Sequence, residues 1–351
     1  MFDFNDLKNP THTFVIAEAG SNWKCGSFED DLNRAKELIN VAAECGADAV
    51  KFQTFRSETV YVPNAGQSNY LTKHNIHQNI NDLFYGMSMP YEMIPKLAEH
   101  SKQQKILFMS TPFSVDDAKH INSYVELHKI ASYEINHVRL IEFLLKTKKP
   151  IIFSTGASKY TEIDFAVNLA KENGNDMIAL LQCTAKYPAP IESLNLSVIS
   201  QIKQKYGLPV GLSDHSLEPT LAPILAIGFG ATIIEKHFTL DKNLAGPDHR
   251  FALEPKELEL MVKSIRNADK AKGNGNKVIL ADEFELRQFA TRSLQATRKI
   301  SKGETLKEGF NFDVLRPGTR SRGIDARFLN EVNGKKAAND IDIGEGITEY
   351  I

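Results

Sequence analysis

Short apolar runs alternate with helical patterns along most of the chain, and this alternation constrains the fold more than any other feature. Each run is rich in β-branched residues and is followed by apolar residues at helical spacing. Strands are predicted at 12–16, 48–53, 106–109, 125–130, 150–153 and 177–181, with two more starting at Pro209 and Ala231. Helices are predicted over 29–45, 91–104, 115–123, 140–147, 160–173, 196–206, 219–229 and 255–271. Eight strand–helix units over about 265 residues are typical of an α/β TIM (β/α)8 barrel, with a doubly wound sheet as the alternative.

Polar side chains follow the end of each predicted strand. Glu18 follows the first strand, Gln53 ends the second, and Thr111 follows the third. In a barrel of parallel strands the active site lies at the carboxyl ends of the strands. We therefore expect these side chains to face one common pocket.

Two histidines occupy matching positions after the last two predicted strands. His215 and His237 each follow a short apolar run, with Asp214, Asp248 and His249 nearby. Two imidazoles held on rigid elements can bind a divalent metal ion. The alternative is a pair of hydrogen-bonded histidines without a metal.

Two lysines and two glutamates also lie at strand ends. Burying an unpaired ammonium group is costly, so Lys51 and Lys129 are predicted to face a carboxylate or phosphate. The alternative is that both side chains reach the rim and cover apolar surface. Glu18 and Glu134 could serve as acid and base, and salt bridges with the two lysines are the alternative.

Composition and charge exclude several classes of protein. Hydrophobic residues make up 42% and charged residues 25% of the chain, as in globular proteins, and the net charge of −2 indicates no nucleic-acid surface. No apolar run approaches the roughly 20 residues of a membrane helix, and the acidic opening residues lack the pattern of a signal peptide. The three cysteines are a sparse, odd set, which favours reduced thiols and a cytoplasmic setting.

Two segments depart from the repeating pattern. Residues 56–90 are rich in Asn, Gln, Tyr and His and fit neither template, which is typical of a functional lid or insertion. We predict a barrel domain over 1–271, a polar, Gly-rich linker over 272–291 and a small, mostly β module over 292–351. A module of this size is only marginally stable by itself, so we expect it to dock on its own barrel or on a partner subunit.

Eight phrases of the sequence, in order, resemble the sialic acid synthase family, which condenses phosphoenolpyruvate with a 2-acetamido sugar. They are Phe14–Gly20, Ala47–Gln53, Ser110–Phe113, His128–Ser132, Ser154–Gly156, Gly211–His215, Glu235–Thr239 and Gly246–His249. The C-terminal module resembles the antifreeze-like (SAF) domain of these enzymes, including the turn at 316–318. The likeness covers essentially the whole chain and implies a TIM barrel followed by a SAF domain.

The resemblance implies a role for each matching residue. His215 and His237 would hold a divalent metal, with Mn²⁺ as the first candidate and Mg²⁺ or Co²⁺ as alternatives. The residues that would bind phosphoenolpyruvate are Lys51, Thr111, Lys129, Ser132, Ser154 and Ser213. The amino sugar would be held by Glu134, Tyr187 and Asp248, with Gln53 nearby, and Glu18 would act in proton transfer. Arg316 would reach the sugar from the partner chain of a domain-exchanged homodimer.

The resemblance also implies the chemistry. The methylene carbon of phosphoenolpyruvate would attack the aldehyde carbon of the open-chain sugar, water would add at C2, and phosphate would leave. His249 after Asp248 favours N-acetylmannosamine or a 2,4-diacetamido-6-deoxy relative over the acceptor of pseudaminate synthases, which have a smaller residue there. Ala185 departs from the Asn often found in neuraminate synthases, which removes one contact to phosphoenolpyruvate. The alternatives are a synthase acting on a phosphorylated aldose and a non-catalytic carbohydrate-binding protein.

Overall fold

The chain forms two compact units, Met1–Asn274 and Gly275–Ile351. The computed structural model describes residues 2–67 and 77–351. Within those residues, no helix combines the length and the apolarity that crossing a bilayer would require.

Eight parallel strands build the first unit. They are β1 (Phe14–Gly20), β2 (Ala49–Thr54), β3 (Leu107–Pro112), β4 (His128–Ile130), β5 (Ile151–Ser154), β6 (Ile178–Cys183), β7 (Val210–Asp214) and β8 (Ile233–His237). Their order in the sheet is β3-β2-β1-β8-β7-β6-β5-β4, and the two end strands, β3 and β4, contact each other. The sheet therefore closes into a barrel. The predicted TIM barrel is confirmed, and the doubly wound alternative is wrong.

Helices follow the strands around the outside of the barrel. They are α1 (Phe28–Glu44), α2 (Ser57–Val60), α3 (Ile80–Met87), α4 (Met93–Gln103), α5 (Val115–Ile121), α6 (Val138–Lys146), α7 (Tyr160–Glu172), α8 (Val198–Tyr206), α9 (Leu221–Gly228) and α10 (Pro255–Lys272). In α1, Ser27 and Asp30 form a capping box, and the buried side chains recur at helical spacing: Leu32, Ala35, Leu38, Ile39 and Ala42. The apolar face of this helix thus packs on the sheet.

The amino end of the barrel interior is filled with apolar side chains. Ile16, Met109, Ile152 and Leu181 are buried there together, from alternate positions on β1, β3, β5 and β6. A 3-10 turn at Phe4–Lys8 adds buried Phe4 and Leu7 to the same cluster. Polar groups that point inward from the strands are therefore concentrated at the carboxyl end.

The segment 56–90 contains regular structure at both ends. Helices α2 and α3 belong to it, so the expectation that this segment fits neither template is wrong for these residues. Residues 68–76 of the segment lie outside the described residues.

The second unit is small and has its own core. An antiparallel pair, β9 (Ser293–Ala296) and β10 (Phe312–Leu315), is accompanied by isolated bridges and by α11 (Phe284–Ala290) and α12 (Leu329–Val332). Leu294, Ile300, Phe312 and Ile347 are among its buried side chains. This is the small, mostly β module that the turn signals predict after the barrel.

Candidate active site

A cavity of about 730 Å³ opens at the carboxyl ends of the barrel strands. All the predicted site residues of the first unit line it: Glu18, Lys51, Gln53, Thr111, Lys129, Ser132, Glu134, Ser154, Tyr187, Ser213, His215, His237 and Asp248. Ala185, the departure from the family pattern, lines it too. The remaining predicted residue, Arg316, is exposed in the second unit directly after β10.

Lys51 forms the first half of a buried charge cluster. Its Nζ lies 2.6 Å from Oε2 of Glu18 on the neighbouring strand β1, and it donates a hydrogen bond to Oγ1 of Thr111 at 3.1 Å. The other carboxylate oxygen of Glu18 accepts a hydrogen bond from Nε2 of Gln53 at 2.8 Å. The salt bridge considered as an alternative for Glu18 is therefore present. Lys51 is buried and does not reach the rim.

Lys129 forms the second half of the cluster. Its Nζ donates to Oγ of Ser154 at 2.8 Å and lies 3.7 Å from Oε1 of Glu235. Oε2 of Glu235 lies 3.7 Å from Nζ of Lys51, and Ser213 donates to Oε1 of Glu235 at 3.0 Å. Lys129 is also buried, so the rim alternative is wrong for both lysines. A single carboxylate lies between the two ammonium groups.

Glu235 is a functional candidate that the sequence reasoning missed. It sits on β8 opposite Ser213 of β7 in the sheet register. Side chains alternate between the two faces of a strand, so Glu235 and His237 point to the same side, and that side is the cavity. The two-residue spacing from a suspected metal ligand was the signal that could have identified it.

Burial and pairing set the protonation of the cluster. Burial outweighs the pairing with Lys51 and raises the pKa of Glu18 to about 7. Although burial opposes it, Lys129 and Lys51 hold the pKa of Glu235 below its ordinary value. Burial lowers the pKa of Lys129, and Glu235 partly offsets this effect. The charge on Lys129 thus depends on Glu235.

His215 and His237 face each other across the ends of β7 and β8. Their ring centroids are 5.5 Å apart, and both side chains are buried. Nδ1 of His215 lies 2.9 Å from the carbonyl oxygen of Thr184, which fits a protonated Nδ1 and leaves Nε2 free as a ligand. Nδ1 of His237 has no hydrogen-bond partner among the described residues. Burial, followed by His215, lowers the pKa of His237 well below its ordinary value, so this ring is neutral.

These features fit a divalent metal ion held by the two imidazoles, of which His237 is already neutral. A buried ring nitrogen without a hydrogen-bond partner destabilises the fold unless a ligand such as a metal ion binds it. Among residues 2–67 and 77–351, no group of three or more His, Cys, Asp or Glu side chains is arranged to bind a metal. A metal at the two histidines would therefore take its other ligands from water and substrate.

A buried ion pair lies behind the two histidines. Nζ of Lys236 contacts Oδ2 of Asp214 and donates to the carbonyl oxygen of Ser216 at 2.7 Å. Asp214 and Lys236 are register partners on β7 and β8, and each directly precedes a histidine. The pair points away from Ser213 and Glu235 and fixes the two strand ends relative to each other.

The opposite wall of the cavity carries the residues predicted to hold a sugar. Oδ2 of Asp248 accepts a hydrogen bond from Oγ of Ser21 at 3.0 Å. Gly20 has φ +52°, and a Cβ there would lie 2.9 Å from Asp248, so the exit of β1 needs glycine. The ring of Tyr187 lies 4.1 Å from that of His215. Burial raises the pKa of Glu134 to about 7, and it has no ion pair among the described residues.

Comparison with known proteins points to one family. The model of the NeuB family matches residues 38–277, and that of the SAF domain matches residues 291–349. The spore coat polysaccharide biosynthesis protein SpsE of Bacillus subtilis is 40% identical over 95% of this chain and 92% of its own. An N,N'-diacetyllegionaminic acid synthase of Campylobacter jejuni is 37% identical over 96% of this chain and 99% of its own. The crystal structure of an N-acetylneuraminic acid synthetase from Leptospira borgpetersenii superposes with a TM-score of 0.70 at 34% identity, covering 80% of this chain and 92% of that one.

Proposed function

The chain belongs to the NeuB family, and from this we propose that it condenses phosphoenolpyruvate with an open-chain 2-acetamido sugar and water. The products are a nonulosonic acid and phosphate. The observation that carries the proposal is the convergence of Lys51 and Lys129, both buried, on the cavity that also holds His215 and His237. Two buried ammonium groups that face one cavity suit an anionic substrate, because Glu235 lies 3.7 Å from each and burial raises the pKa of Glu18, the partner of Lys51, to about 7.

The cluster around the lysines is suited to phosphoenolpyruvate. Its ammonium groups and the hydroxyls of Thr111, Ser132 and Ser154 offer donors to both the phosphate and the carboxylate, and Ser213 would join them by turning its hydroxyl from Glu235 to the substrate. These donors are held by the barrel strands before the substrate arrives, so little reorganisation accompanies the reaction. Ala185 cannot donate, so this enzyme would rely on the lysines and hydroxyls alone.

The reaction forms one carbon–carbon bond and, at C2, replaces the carbon–oxygen bond to phosphate with one to the oxygen of water, whose two protons go to the sugar oxygen and the leaving phosphate. The methylene carbon of phosphoenolpyruvate bonds to the aldehyde carbon of the sugar, whose oxygen takes up a proton. Water adds at C2, and the bond from C2 to the phosphate oxygen breaks to leave the keto group. We assign proton transfer to Glu18, which lines the cavity beside Lys51 and Gln53. Glu134, Tyr187 and Asp248 bind the hydroxyl and amide groups of the sugar, with Glu134 as a second acid–base candidate.

A divalent metal at His215 and His237 would polarise the aldehyde oxygen and so make its carbon electrophilic. Two nitrogen ligands with oxygen donors suit Mn²⁺, and Mg²⁺ or Co²⁺ are the alternatives. The ion pair between Lys236 and Asp214 supports this assignment, because it holds the two ligand-bearing strand ends together.

We also propose a domain-exchanged homodimer in which Arg316 reaches the sugar of the partner subunit. The match of the SAF model to residues 291–349 supports a module at 292–351 after a barrel domain at 1–271 and a linker at 272–291. Its small core supports docking on another surface. The three cysteines carry free thiols, which supports a cytoplasmic setting.

Two other functions fit the observations less well. A synthase acting on a phosphorylated aldose would not need the SAF domain that follows this barrel. A non-catalytic binding protein would have no use for buried, converging Lys51, Lys129 and Glu18 at one site. Burying these charged side chains lowers the stability of the fold, and only a catalytic role would explain why they converge on one site.

Phosphate release with phosphoenolpyruvate and a panel of acetamido sugars tests the proposal. We expect phosphate to appear only when phosphoenolpyruvate, a 2-acetamido sugar and a divalent metal are all present, with a nonulosonic acid as the product by mass spectrometry. Turnover of a phosphorylated aldose instead would support the second synthase. No turnover with any sugar would support the binding protein.

A further inference from the structure

The loop between β8 and α10, residues 238–254, connects a candidate metal ligand to a candidate sugar ligand. It begins directly after His237, and it carries Asp248 to the wall of the cavity. Phe238 and Leu253 pair in a parallel bridge, so the two ends of the loop lie side by side. The position of Asp248 between these ends therefore depends on contacts within the loop and with the exit of β1.

His249 lies behind the cavity wall, inside this loop. Its side chain is buried, and it is not one of the described side chains that line the cavity. Nδ1 of His249 lies 2.6 Å from Oγ1 of Thr239, which is buried at the start of the loop. The Thr239 hydroxyl donates to the carbonyl oxygen of Asp241 at 3.2 Å, which leaves Oγ1 to accept a hydrogen bond from Nδ1–H of His249. This hydrogen bond closes the loop.

The ring of His249 also packs against the glycine turn that precedes Asp248. Gly246 has φ +151°, and a Cβ there would lie 2.8 Å from Cδ2 and 3.2 Å from Nε2 of His249. Only a residue without a Cβ lets the backbone approach the imidazole this closely. The imidazole therefore fixes the path of the backbone from Gly246 to Asp248.

The exit of β1 holds Asp248 from the other side. Oγ of Ser21 donates to Oδ2 of Asp248 at 3.0 Å, and Nδ2 of the buried Asn22 donates to the carbonyl oxygen of Phe238 at 2.8 Å. Ser21 thus orients the carboxylate, and Asn22 ties the start of the loop to the same exit. His249 supplies the remaining support, behind the backbone that carries the carboxylate.

We propose that His249 is a positioning residue for sugar binding. Through its hydrogen bond with Thr239 and its packing against Gly246, it holds the carboxylate of Asp248 at the cavity wall. The inference rests on the proposed function, which assigns Asp248 to the sugar. Because the imidazole does not line the cavity, its influence on the sugar passes through Asp248.

Thr239→Val tests the hydrogen bond, because valine has a shape close to that of threonine but no hydroxyl group. Phosphate release is measured with phosphoenolpyruvate and N-acetylmannosamine, or with 2,4-diacetamido-2,4,6-trideoxymannose where that sugar is the better acceptor. We expect KM for the sugar to rise roughly three- to tenfold and KM for phosphoenolpyruvate to stay unchanged. Thr239→Ser keeps the hydroxyl and should retain the native sugar KM. The affinity for Mn²⁺, measured by isothermal titration calorimetry, should not change in either variant.

Two further variants test whether the effect passes through Asp248. Asp248→Ala should raise the sugar KM by itself, and adding Thr239→Val should raise it no further, because the carboxylate that the hydrogen bond positions is already lost. His249→Leu should raise the sugar KM at least as much as Thr239→Val does. His100→Leu is the matched control, because His100 on α4 pairs with Asn40 on α1, outside the barrel, and the sugar KM should remain native.

The outcomes separate this inference from the proposed function. A native sugar KM in both Thr239→Val and His249→Leu, with a raised one in Asp248→Ala, would overturn the positioning role and leave the proposed function intact. Equal rises in KM for the sugar and for phosphoenolpyruvate, or a further rise when Thr239→Val is added to Asp248→Ala, would overturn it too. A native sugar KM in Asp248→Ala would remove Asp248 from the sugar site and this inference with it. No phosphate release by the native protein with either sugar would overturn the proposed function itself.

Discussion

The carboxylate of Glu235 lies 3.7 Å from Nζ of Lys51 and 3.7 Å from Nζ of Lys129. These are ion-pair distances but too long for strong hydrogen bonds. Glu235 therefore supports the charge on both ammonium groups, together with Glu18 at Lys51, without a strong hydrogen bond to either of them. Its own hydrogen bond comes from Ser213 on the neighbouring strand.

Replacing Glu235 with Gln should make the use of phosphoenolpyruvate sensitive to pH. Burial already lowers the pKa of Lys129, and Glu235 is the first group that offsets it; Lys51, Cys183 and Glu18 face it as well. Without the carboxylate, Lys129 should lose its proton at lower pH. We expect kcat/KM for phosphoenolpyruvate to fall more steeply from pH 7 to 9 in the variant than in the native enzyme. An equal loss at every pH would contradict this role.

Replacing Lys129 with Met should impair the use of phosphoenolpyruvate more than the binding of the sugar. A charge-assisted hydrogen bond to a buried anion contributes about 1.5–3 kcal/mol, so kcat/KM for phosphoenolpyruvate should fall at least roughly tenfold. The KM for the sugar should change little. Lys119→Met, on the exposed face of α5, is the control. Unchanged kcat and KM for phosphoenolpyruvate in Lys129→Met would rule out the anion site.

His128 should make the barrel unit less stable in mild acid. Burial, followed by Lys149, lowers its pKa to about 3, below the ordinary value near 6.5 of the unfolded chain. The stabilisation is complete above about pH 6.5 and is lost as the pH falls towards 3, because the unfolded chain binds the proton more readily. The free energy of unfolding should drop by about 2 kcal/mol from pH 7 to 5 through this residue alone.

The fluorescence of Trp23, the one tryptophan of the chain, can follow this unfolding in urea. In His128→Asn the decrease in the free energy of unfolding between pH 7 and 5 should be smaller than in the native protein by about 2 kcal/mol. Parallel pH profiles for the variant and the native protein would show that His128 does not contribute.

The order of strands and helices could be predicted because short apolar runs and apolar residues at helical spacing are both local features of the sequence. The predicted helix 160–173 is observed at Tyr160–Glu172, and the predicted strand 150–153 at Ile151–Ser154. The short helices α2 and α3 were missed, since polar and aromatic residues in the segment obscure the helical pattern. Helices this short are held by tertiary contacts such as that between Ser57 and Asn81.

Most of the candidate site followed from strand ends, but its internal pairing did not. Strands of a parallel barrel are buried on both faces, so an apolar pattern does not show which way a polar residue points. Glu235 and Lys236 are adjacent and both buried, yet Glu235 meets the cavity lysines and Lys236 meets Asp214 on the other face. Alternation along β8 places the two side chains on opposite faces, and the register with β7 decides that their partners are Ser213 and Asp214.

Removing divalent metal should abolish turnover, and adding Mn²⁺ should restore it. Mn²⁺ should not restore the turnover of His237→Ala, because this variant lacks one of the two proposed metal ligands, a neutral, buried imidazole whose Nδ1 has no partner among the described residues. Isothermal titration calorimetry provides a reading independent of activity: Mn²⁺ should bind the native protein and bind His215→Ala and His237→Ala at least roughly tenfold more weakly. Equal Mn²⁺ affinity in all three proteins would place the metal elsewhere.

Arg316 should complete the active site of the partner subunit, so two inactive variants should rescue each other. In a mixed dimer of Arg316→Ala and His237→Ala subunits, one of the two sites then has both residues. At equal mixing about half the dimers are mixed, so activity should approach roughly a quarter of the native value. If Arg316 served its own subunit, every site in the mixture would lack one residue. Subunit exchange shown by native mass spectrometry without recovered activity would therefore exclude the exchanged arrangement.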